Sequence, residues 1–429
     1  MNKVVKGSFE LMKQMNVSAV LKIIRDNGSL SRADVAKITG LTPASVTNIT
    51  KILIEDGYLV ECKIGESSGG RPPIILELNP NARYVIGVGI GVGVIDVVIT
   101  NLSAHIILKK SIEISEERYD YDFVFKKLVN LINEVIKESN INKEKILGAG
   151  VALHGIVNAK TGISIYSPYY DWKDKDIKKA LENELNLNVY VDNDVRAMAL
   201  GESWFGITKN IGNFVTLNIS NGIGAGIIIN NKPYYGVDFS AGEIGHIVVD
   251  GDGEKCNCGN YGCLETVSSN NNITKKTIKL IKQGANSILK DIKEDINDLT
   301  IDDICYAAKL EDELAISIIK ESSRYIGIAI TNLINILNPT AIVVVGEIFE
   351  NTFYAIETLN EIVKNRGMKL SSENVKIIII KVLRIREKDI INFNGDIVYR
   401  VYYSRPYEIM REEVIYLCIN GGKSYGIEY

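Results

Sequence analysis

The chain has 429 residues, 49 Lys and Arg against 53 Asp and Glu, and a formal net charge of −4. With 46 % hydrophobic and 24 % charged residues it has the make-up of a soluble globular protein with ample material for a core, and its length suits two or three domains. The negative balance excludes a protein whose whole surface binds nucleic acid, but residues 1–80 carry 10 Lys and Arg against 8 Asp and Glu, so a mildly basic head sits on an acidic body.

Residues 1–15 are mixed and charged, with no apolar run of a secretory leader. The most lipid-like stretch, 84–100, is broken by glycines and by Asp96 and reads as two strands, so the cytoplasm is the expected location. Val17, Val20, Leu21 and Ile24 recur at helical spacing, and Gly28 supplies a stop. Ser31, with Asp34 three positions on, opens a second short helix that carries Val35 and Ile38 inward and ends at Gly40. Thr42 caps a third helix with Pro43 at its first position. Val46, Ile49 and Leu53 form the apolar stripe of that helix. Ser45, Thr47, Asn48 and Lys51 lie on its other face, polar groups able to approach base edges and phosphates. Residues 58–60, a polar turn at 66–70 and residues 73–78 then make a hairpin, with Arg71 beside two glycines at its tip and placed to enter a minor groove. Three short helices with a glycine turn before the third, followed by a hairpin, describe a winged helix-turn-helix over residues 1–80. A helical packing module with a polar surface is the plainer alternative; the wing and the lack of catalytic groups favour DNA.

From Tyr84 glycine-punctuated strands at 84–100, 148–153, 189–192, 213–229 and 341–346 alternate with apolar helices such as 123–136 and 314–337, an α/β pattern. Asp192-Asn193-Asp194 closes the apolar strand 187–191 and opens a helix at 195–201. Acids there face a ligand crevice in many α/β sheets, and they also serve as plain helix caps. The Gly- and Asn-rich stretch 221–231 reads as a turn between strands. Six cysteines are too few for a disulfide scaffold, and three of them crowd between Cys256 and Cys263. His246 with Cys256, Cys258 and Cys263 makes a closed Cys₃His zinc set without an open position for a catalytic water; unpaired thiols in a polar loop are the alternative.

Ser31-Arg32-Ala33-Asp34, Thr39-Gly40-Leu41-Thr42 and Gly69-Gly70-Arg71-Pro72 resemble the start of repressors of the ROK family (repressors, open reading frames and kinases), whose kinases lack such a head. Ala241-Gly242-Glu243-Ile244-Gly245-His246 and Cys256-Asn257-Cys258-Gly259-Asn260-Tyr261-Gly262-Cys263-Leu264-Glu265 resemble the signature of the family. The resemblance spans about residues 17–382. It implies a winged helix-turn-helix at 1–80 and a two-lobed sugar-kinase-like (actin/RNase H-like) domain with lobes at 81–191 and 192–382, leaving 383–429 as a divergent tail with strand-like sequence at 397–403. It further implies a structural zinc ion on His246, Cys256, Cys258 and Cys263, and sugar hydroxyls met by Asn193, Asp194, Glu243, His246 and Glu265. Arg32, Thr42, Ser45, Thr47, Asn48, Lys51 and Arg71 are the candidate DNA contacts. The aromatic stretch 167–172 lies where family members touch sugar, and it reads equally well as a packed loop.

Family kinases carry a phosphate loop of the type Asp-x-Gly-Gly-Thr, whose Asp helps to hold magnesium. The matching residues here are Gly89-Ile90-Gly91-Val92-Gly93, without the acid or the hydroxyl. A second glycine run, 222–226, survives, but the Gly-Gly expected after Asn338-Pro339 is Val345-Gly346-Glu347. The expectation is a body that binds sugar without phosphoryl transfer, and so no catalytic residue. The head then acts on a double-stranded DNA operator as a homodimer or homotetramer, with a sugar effector, xylose first by general likeness to xylose repressors of the family. An ATP-dependent sugar kinase with an accessory head, and a repressor with a dead pocket under a protein partner, are the rival readings.

Overall fold

The computed structural model describes residues 9–64, 73–114, 119–383 and 401–403. The head contains α1 (Phe9–Asn27), β1 (Leu30–Ser31), α2 (Arg32–Thr39) and α3 (Pro43–Glu55), then an antiparallel hairpin of β2 (Leu59–Ile64) and β3 (Ile74–Leu78), with β1 on the free side of β3. Its helix ends follow local chemistry. Ser31 and Asp34 form a reciprocal capping box, Gly40 closes α2 at φ 71°, and the Thr42 hydroxyl accepts the Ser45 N–H at the start of α3. Val20, Ile24, Val35, Val46, Ile49, Leu53, Leu59 and Leu76 bury together as the head's own core. Ile38, expected inward, is instead 51 % exposed. Helix α2 is short, and its contact with that core is made by Val35 and Ala36 while the Thr39 hydroxyl turns back onto the Val35 carbonyl, which leaves Ile38 outside.

The body is built on two large sheets. In the first, β4 (Tyr84–Gly91), β5 (Val94–Asn101) and β6 (Ile106–Glu113) form an antiparallel run; after α4 (Tyr121–Glu138), β7 (Ile146–Leu153) joins β4 in parallel. A three-stranded sheet of β8 (Ile156–Asn158), β9 (Ile163–Ser167) and β10 (Trp172–Asp176) and the helix α5 (Ile177–Leu185) precede β11 (Val189–Asn193), which pairs with β7. Strand order is β11-β7-β4-β5-β6. The strands β4 and β5 are buried along nearly their whole length, which explains why 84–100 reads as a continuous apolar run.

Helix α6 (Asp194–Trp204) then leads into the second sheet, β12 (Phe214–Ile219), β13 (Ile223–Ile229) and β14 (Lys232–Pro233). Helices α7 (Leu264–Ser268), α8 (Asn270–Lys282), α9 (Leu289–Ile292), α10 (Ile301–Lys309) and α11 (Glu313–Leu337) follow. The chain returns through β15 (Ala341–Val345), α12 (Glu347–Asn351), α13 (Phe353–Arg366) and α14 (Lys369–Asn374) to β16 (Lys376–Leu383), and β17 (Val401–Tyr403) pairs parallel with β16. The stretch 221–231 is mostly the strand β13, with the chain reversing at its two ends, at 220–222 and at Asn230-Asn231. Its glycines serve packing: a Cβ on Gly226 would lie 2.5 Å from the Ala199 Cβ and from the Val195 carbonyl oxygen, so glycine lets α6 lie directly on β13. Among the described residues no helix is long and apolar enough to cross a membrane.

Candidate functional site

In the head, burial of Val46, Ile49 and Leu53 turns the opposite face of α3 outward. Thr42, Thr47, Asn48 and Lys51 are exposed there and Ser45 is half-buried. Several of these groups are locally tied. The Thr42 and Ser45 hydroxyls lie 2.9 Å apart, Thr47 Oγ1 donates to the Pro43 carbonyl at 2.8 Å, and Lys51 lies 3.9 Å from Glu55. Arg32, also a candidate DNA contact, is tied within the head. Its Nε donates to Thr50 Oγ1 at 3.1 Å and its Nη2 to Glu61 Oε1 at 2.7 Å, so it ties α2 to α3 and to the first strand of the wing. Arg71, at the wing tip, lies outside the described residues.

The sugar-site residues expected from sequence come from two regions on either side of the α6 N-terminus. Asn193 caps that helix: its Oδ1 accepts from the Val195 and Arg196 N–H groups at 3.0 Å, and its Nδ2 donates to the Gly155 carbonyl at 3.1 Å and to Asp194 Oδ1 at 3.0 Å. All of the amide's hydrogen-bonding capacity is thereby used within the protein, so Asn193 orients Asp194. From the other side come Glu243, His246 and Glu265. A Cβ on Gly242, at φ 97°, would lie 1.9 Å from the Ala225 carbonyl oxygen, so this glycine sets the chain close to β13 just before Glu243. Glu265, in the first turn of α7, accepts the Ile223 N–H at 3.2 Å. Burial raises the pKa of Glu243; His246 and Arg196 oppose that shift, and the nearby Asp194 and Glu265 carboxylates add to it. Three acids therefore share one electrostatic neighbourhood, an arrangement that accepts paired hydroxyl protons.

Sequence reasoning passed over Arg196. It is buried, with Nε 2.8 Å from Asp192 Oδ1, Nη1 donating to the Phe239 carbonyl at 2.8 Å and Nη2 to the Val157 carbonyl at 2.9 Å. One side chain thus joins β8, the end of β11 and the loop before Glu243. A lone charge between Val195 and Ala197-Met198-Ala199 was the available signal. His154 follows β7 close by, with Nε2 2.9 Å from Ser167 Oγ; burial lowers its pKa to about 4, partly offset by a hydrogen bond with the Ile90 backbone, so it is neutral at physiological pH.

His246, Cys256, Cys258 and Cys263 place their ligand atoms within 4.8 Å of one another and could together hold a metal ion. The spacings suit zinc. A tetrahedral ion with Zn–S bonds of about 2.3 Å and Zn–N of about 2.0 Å separates two sulfurs by about 3.8 Å and a sulfur from a nitrogen by about 3.5 Å. Cys258 and Cys263 sulfurs lie 3.7 Å apart, and Cys256 Sγ lies 3.5 Å from His246 Nδ1. The opposite ring nitrogen, Nε2, stands 3.8 Å from Glu243 Oε2, so the imidazole joins the thiol cluster to the acids of the cleft.

The residues that match in sequence the phosphate loop of family kinases are engaged within the fold. The Gly91 carbonyl accepts the Tyr170 hydroxyl at 2.6 Å, and Tyr170 stacks on Trp172 with centroids 4.6 Å apart. Both rings are buried, so the packed-loop reading holds for these two; Tyr169 is half-buried. Val345 packs with Phe214 and Met198, and the Glu347 carboxylate, beside the 220–222 turn, accepts Asn270 Nδ2 at 2.8 Å.

Comparison with known proteins gives two family matches: the profile described as ROK family over residues 85–386, and winged helix-turn-helix DNA-binding over 18–60. The chain is 33 % identical over 384 residues to a xylose repressor of Caldicellulosiruptor bescii, covering 88 % of this chain and 94 % of that one. It is 32 % identical over 372 residues to the DNA-binding transcriptional dual regulator NagC of Escherichia coli, covering 87 % and 90 %. The solved structure of a ROK family transcriptional regulator, a homologue of the Escherichia coli MLC protein, superposes with a TM-score of 0.80 at 29 % identity and covers 95 % of this chain and 98 % of that one. A ROK family glucokinase from Streptomyces griseus shares the body fold, with a TM-score of 0.61 at 22 % identity over 69 % of this chain and 94 % of that one.

Proposed function

The chain belongs to the ROK family, and from that premise we propose that it is a sugar-responsive transcriptional repressor in which a kinase-like body senses sugar and a winged helix-turn-helix binds the operator. The observation that carries the reading is the conjunction, in one chain, of an outward polar face on α3 with a cleft that keeps its acids and lacks phosphate-handling groups. It is a regulator and not an enzyme: its relatives are named as repressors, and neither glycine run offers a magnesium-binding acid in sequence.

The effector is a monosaccharide, with the xylose class first because three of the relatives at 30–33 % identity are named xylose repressors and a fourth a putative xylose repressor; N-acetylglucosamine is next. Asp194, Glu243 and Glu265 accept its hydroxyl protons, Asn193 positions Asp194, and His246 bonds through the nitrogen that faces away from the metal. The metal is a structural zinc ion on His246, Cys256, Cys258 and Cys263; it supplies charge and a fixed imidazole orientation and takes no part in chemistry. Thr42, Ser45, Thr47, Asn48 and Lys51 face the DNA. Two heads of a homodimer, or of a homotetramer, read the half-sites of a pseudo-palindromic operator. The test is isothermal titration of the protein with D-xylose and N-acetylglucosamine beside its Glu243→Ala variant: one sugar binds the wild type, and the variant loses the heat. Equal binding by both proteins removes Glu243 from the site, and no binding of any monosaccharide removes the sugar-sensing reading.

A further inference from the structure

The helix that begins in the sugar cleft ends against the DNA-binding head. Asp194 opens α6, and Trp204, ten residues on and therefore about 15 Å along the axis, closes it. The Arg25 guanidinium of α1 lies 5.0 Å from the Trp204 ring centroid. One residue on, Asp26 receives Lys209: the ammonium lies 3.7 Å from Asp26 Oδ1 and donates to the Asp26 carbonyl at 3.3 Å. The segment between Trp204 and Lys209 is stiff. Buried Glu202 accepts the Ile207 N–H through its carboxylate and the Gly206 N–H through its carbonyl, and the Lys209 N–H bonds to the Gly206 carbonyl. Helix α6 is itself pressed onto β13 of the second sheet through Gly226, while its first turn is tied to β8 and β11 through Asn193 and Arg196.

The head has another footing on the first sheet. The Arg83 guanidinium, just before β4, lies 4.9 Å from the Tyr58 ring, and the Leu102 N–H, just past β5, donates to the Pro80 carbonyl at 2.9 Å. The head therefore stands on both sheets, while Asp194 and the Glu243–His246 segment frame the cleft between them. A shift of one sheet against the other must turn the head or break one footing. The α6 footing is the more easily broken one, since it rests on a cation–π contact, an ion pair and a hydrogen bond from the same ammonium, each individually weak at a partly exposed site.

We propose that the Arg25–Trp204 and Asp26–Lys209 contacts form the interface through which sugar at the Asp194 end of α6 sets the pose of the DNA-binding head. The inference rests on the sugar-responsive repressor reading above. It makes this contact the DNA-competent state, which sugar weakens by its preference for the other arrangement of the sheets.

The experiment uses the full chain and the double variant Trp204→Ala/Lys209→Ala, both changes lying on the body, away from α3 and from the acids of the cleft. Fluorescence anisotropy on a duplex from the gene's own upstream region is read without sugar and then with D-xylose and N-acetylglucosamine, with calorimetric titration of the same sugars alongside. The variant is expected to lose at least about fivefold in sugar-free duplex affinity and to keep less than about twofold of sugar-dependent shift, with calorimetric sugar affinity within about twofold of wild type. A variant that binds duplex as the wild type does, and keeps its full sugar shift, overturns the proposal. If the wild type binds duplex but neither sugar moves the curve, the sugar-sensing reading fails, while the sugar-free comparison still decides the contact. If the double variant does not fold, Lys209→Glu, at a partly exposed position facing Asp26, must reproduce the loss of duplex affinity; unchanged affinity overturns the proposal.

Discussion

The Asp194 carboxyl has a raised pKa, chiefly from burial and against the opposing pull of the Val195 N–H and of Arg196. An acid whose pKa is higher in the folded chain than in the unfolded one stabilises the fold fully below its unfolded pKa, and that contribution is lost as pH rises through the folded value. Asp194→Asn is therefore expected to raise the melting temperature at neutral pH, with the gain shrinking as pH falls toward about 4. The same variant should lose the response to sugar, a trade of binding for stability. Thermal melts of both proteins across this range check it; a gain that does not vary with pH contradicts the burial argument. At the metal cluster, mass spectrometry of the native protein should find one zinc per chain, and Cys258→Ser, at an exposed ligand, should lower that content. Full zinc content in the variant would show that Cys258 is not a ligand.

At the scale of elements, the two helices on which the proposed function rests, α3 and α6, were legible to different degrees. Helix α3 could be read in full, because its cap Thr42, its Pro43 and its stripe Val46, Ile49 and Leu53 are local signals that need no partner. Lys51→Ala is expected to weaken DNA binding alike for all sequences and to reduce the slope of log affinity against log salt by about 1, whereas Asn48→Ala should cost about 1–3 kcal/mol on the cognate duplex. A salt series on both variants measures this, and an unchanged slope for Lys51→Ala would place that lysine off the phosphates. Helix α6 was legible only at its start. That Gly226 makes room for Ala199, that Arg196 bonds to residues 39 and 43 positions away, and that Trp204 meets Arg25 are long-range facts with no local sequence signature. Gly226→Ala should cost about 1–3 kcal/mol of stability by forcing α6 off β13. Chemical denaturation tests it, and a neutral substitution would mean that the helix yields easily. Ile38 illustrates the converse error: a helical period places it near the stripe, but a helix as short as α2 has little inner face to offer.

Over the whole molecule, a helical head before a glycine-punctuated α/β body was legible from periodicity and motif positions, because apolar strands and a clustered His and Cys set are strong signals at any distance, whereas the division of that body into two lobes came from the family resemblance. The motif residues Asn193, Asp194, Glu243, His246 and Glu265 were named from a family resemblance, and the fold gives them differing parts: Asn193 caps α6, while the His246 imidazole turns Nδ1 to Cys256 and Nε2 to Glu243. The central claim is that the sugar cleft and the DNA-binding head are coupled. Fluorescence anisotropy of wild-type protein on a duplex from the gene's own upstream region, titrated with a panel of monosaccharides headed by D-xylose and N-acetylglucosamine, tests it most directly. The account predicts that one sugar at millimolar concentration or below lowers duplex affinity by at least about fivefold while the others leave it unchanged. Tight, specific duplex binding that no sugar alters would contradict it.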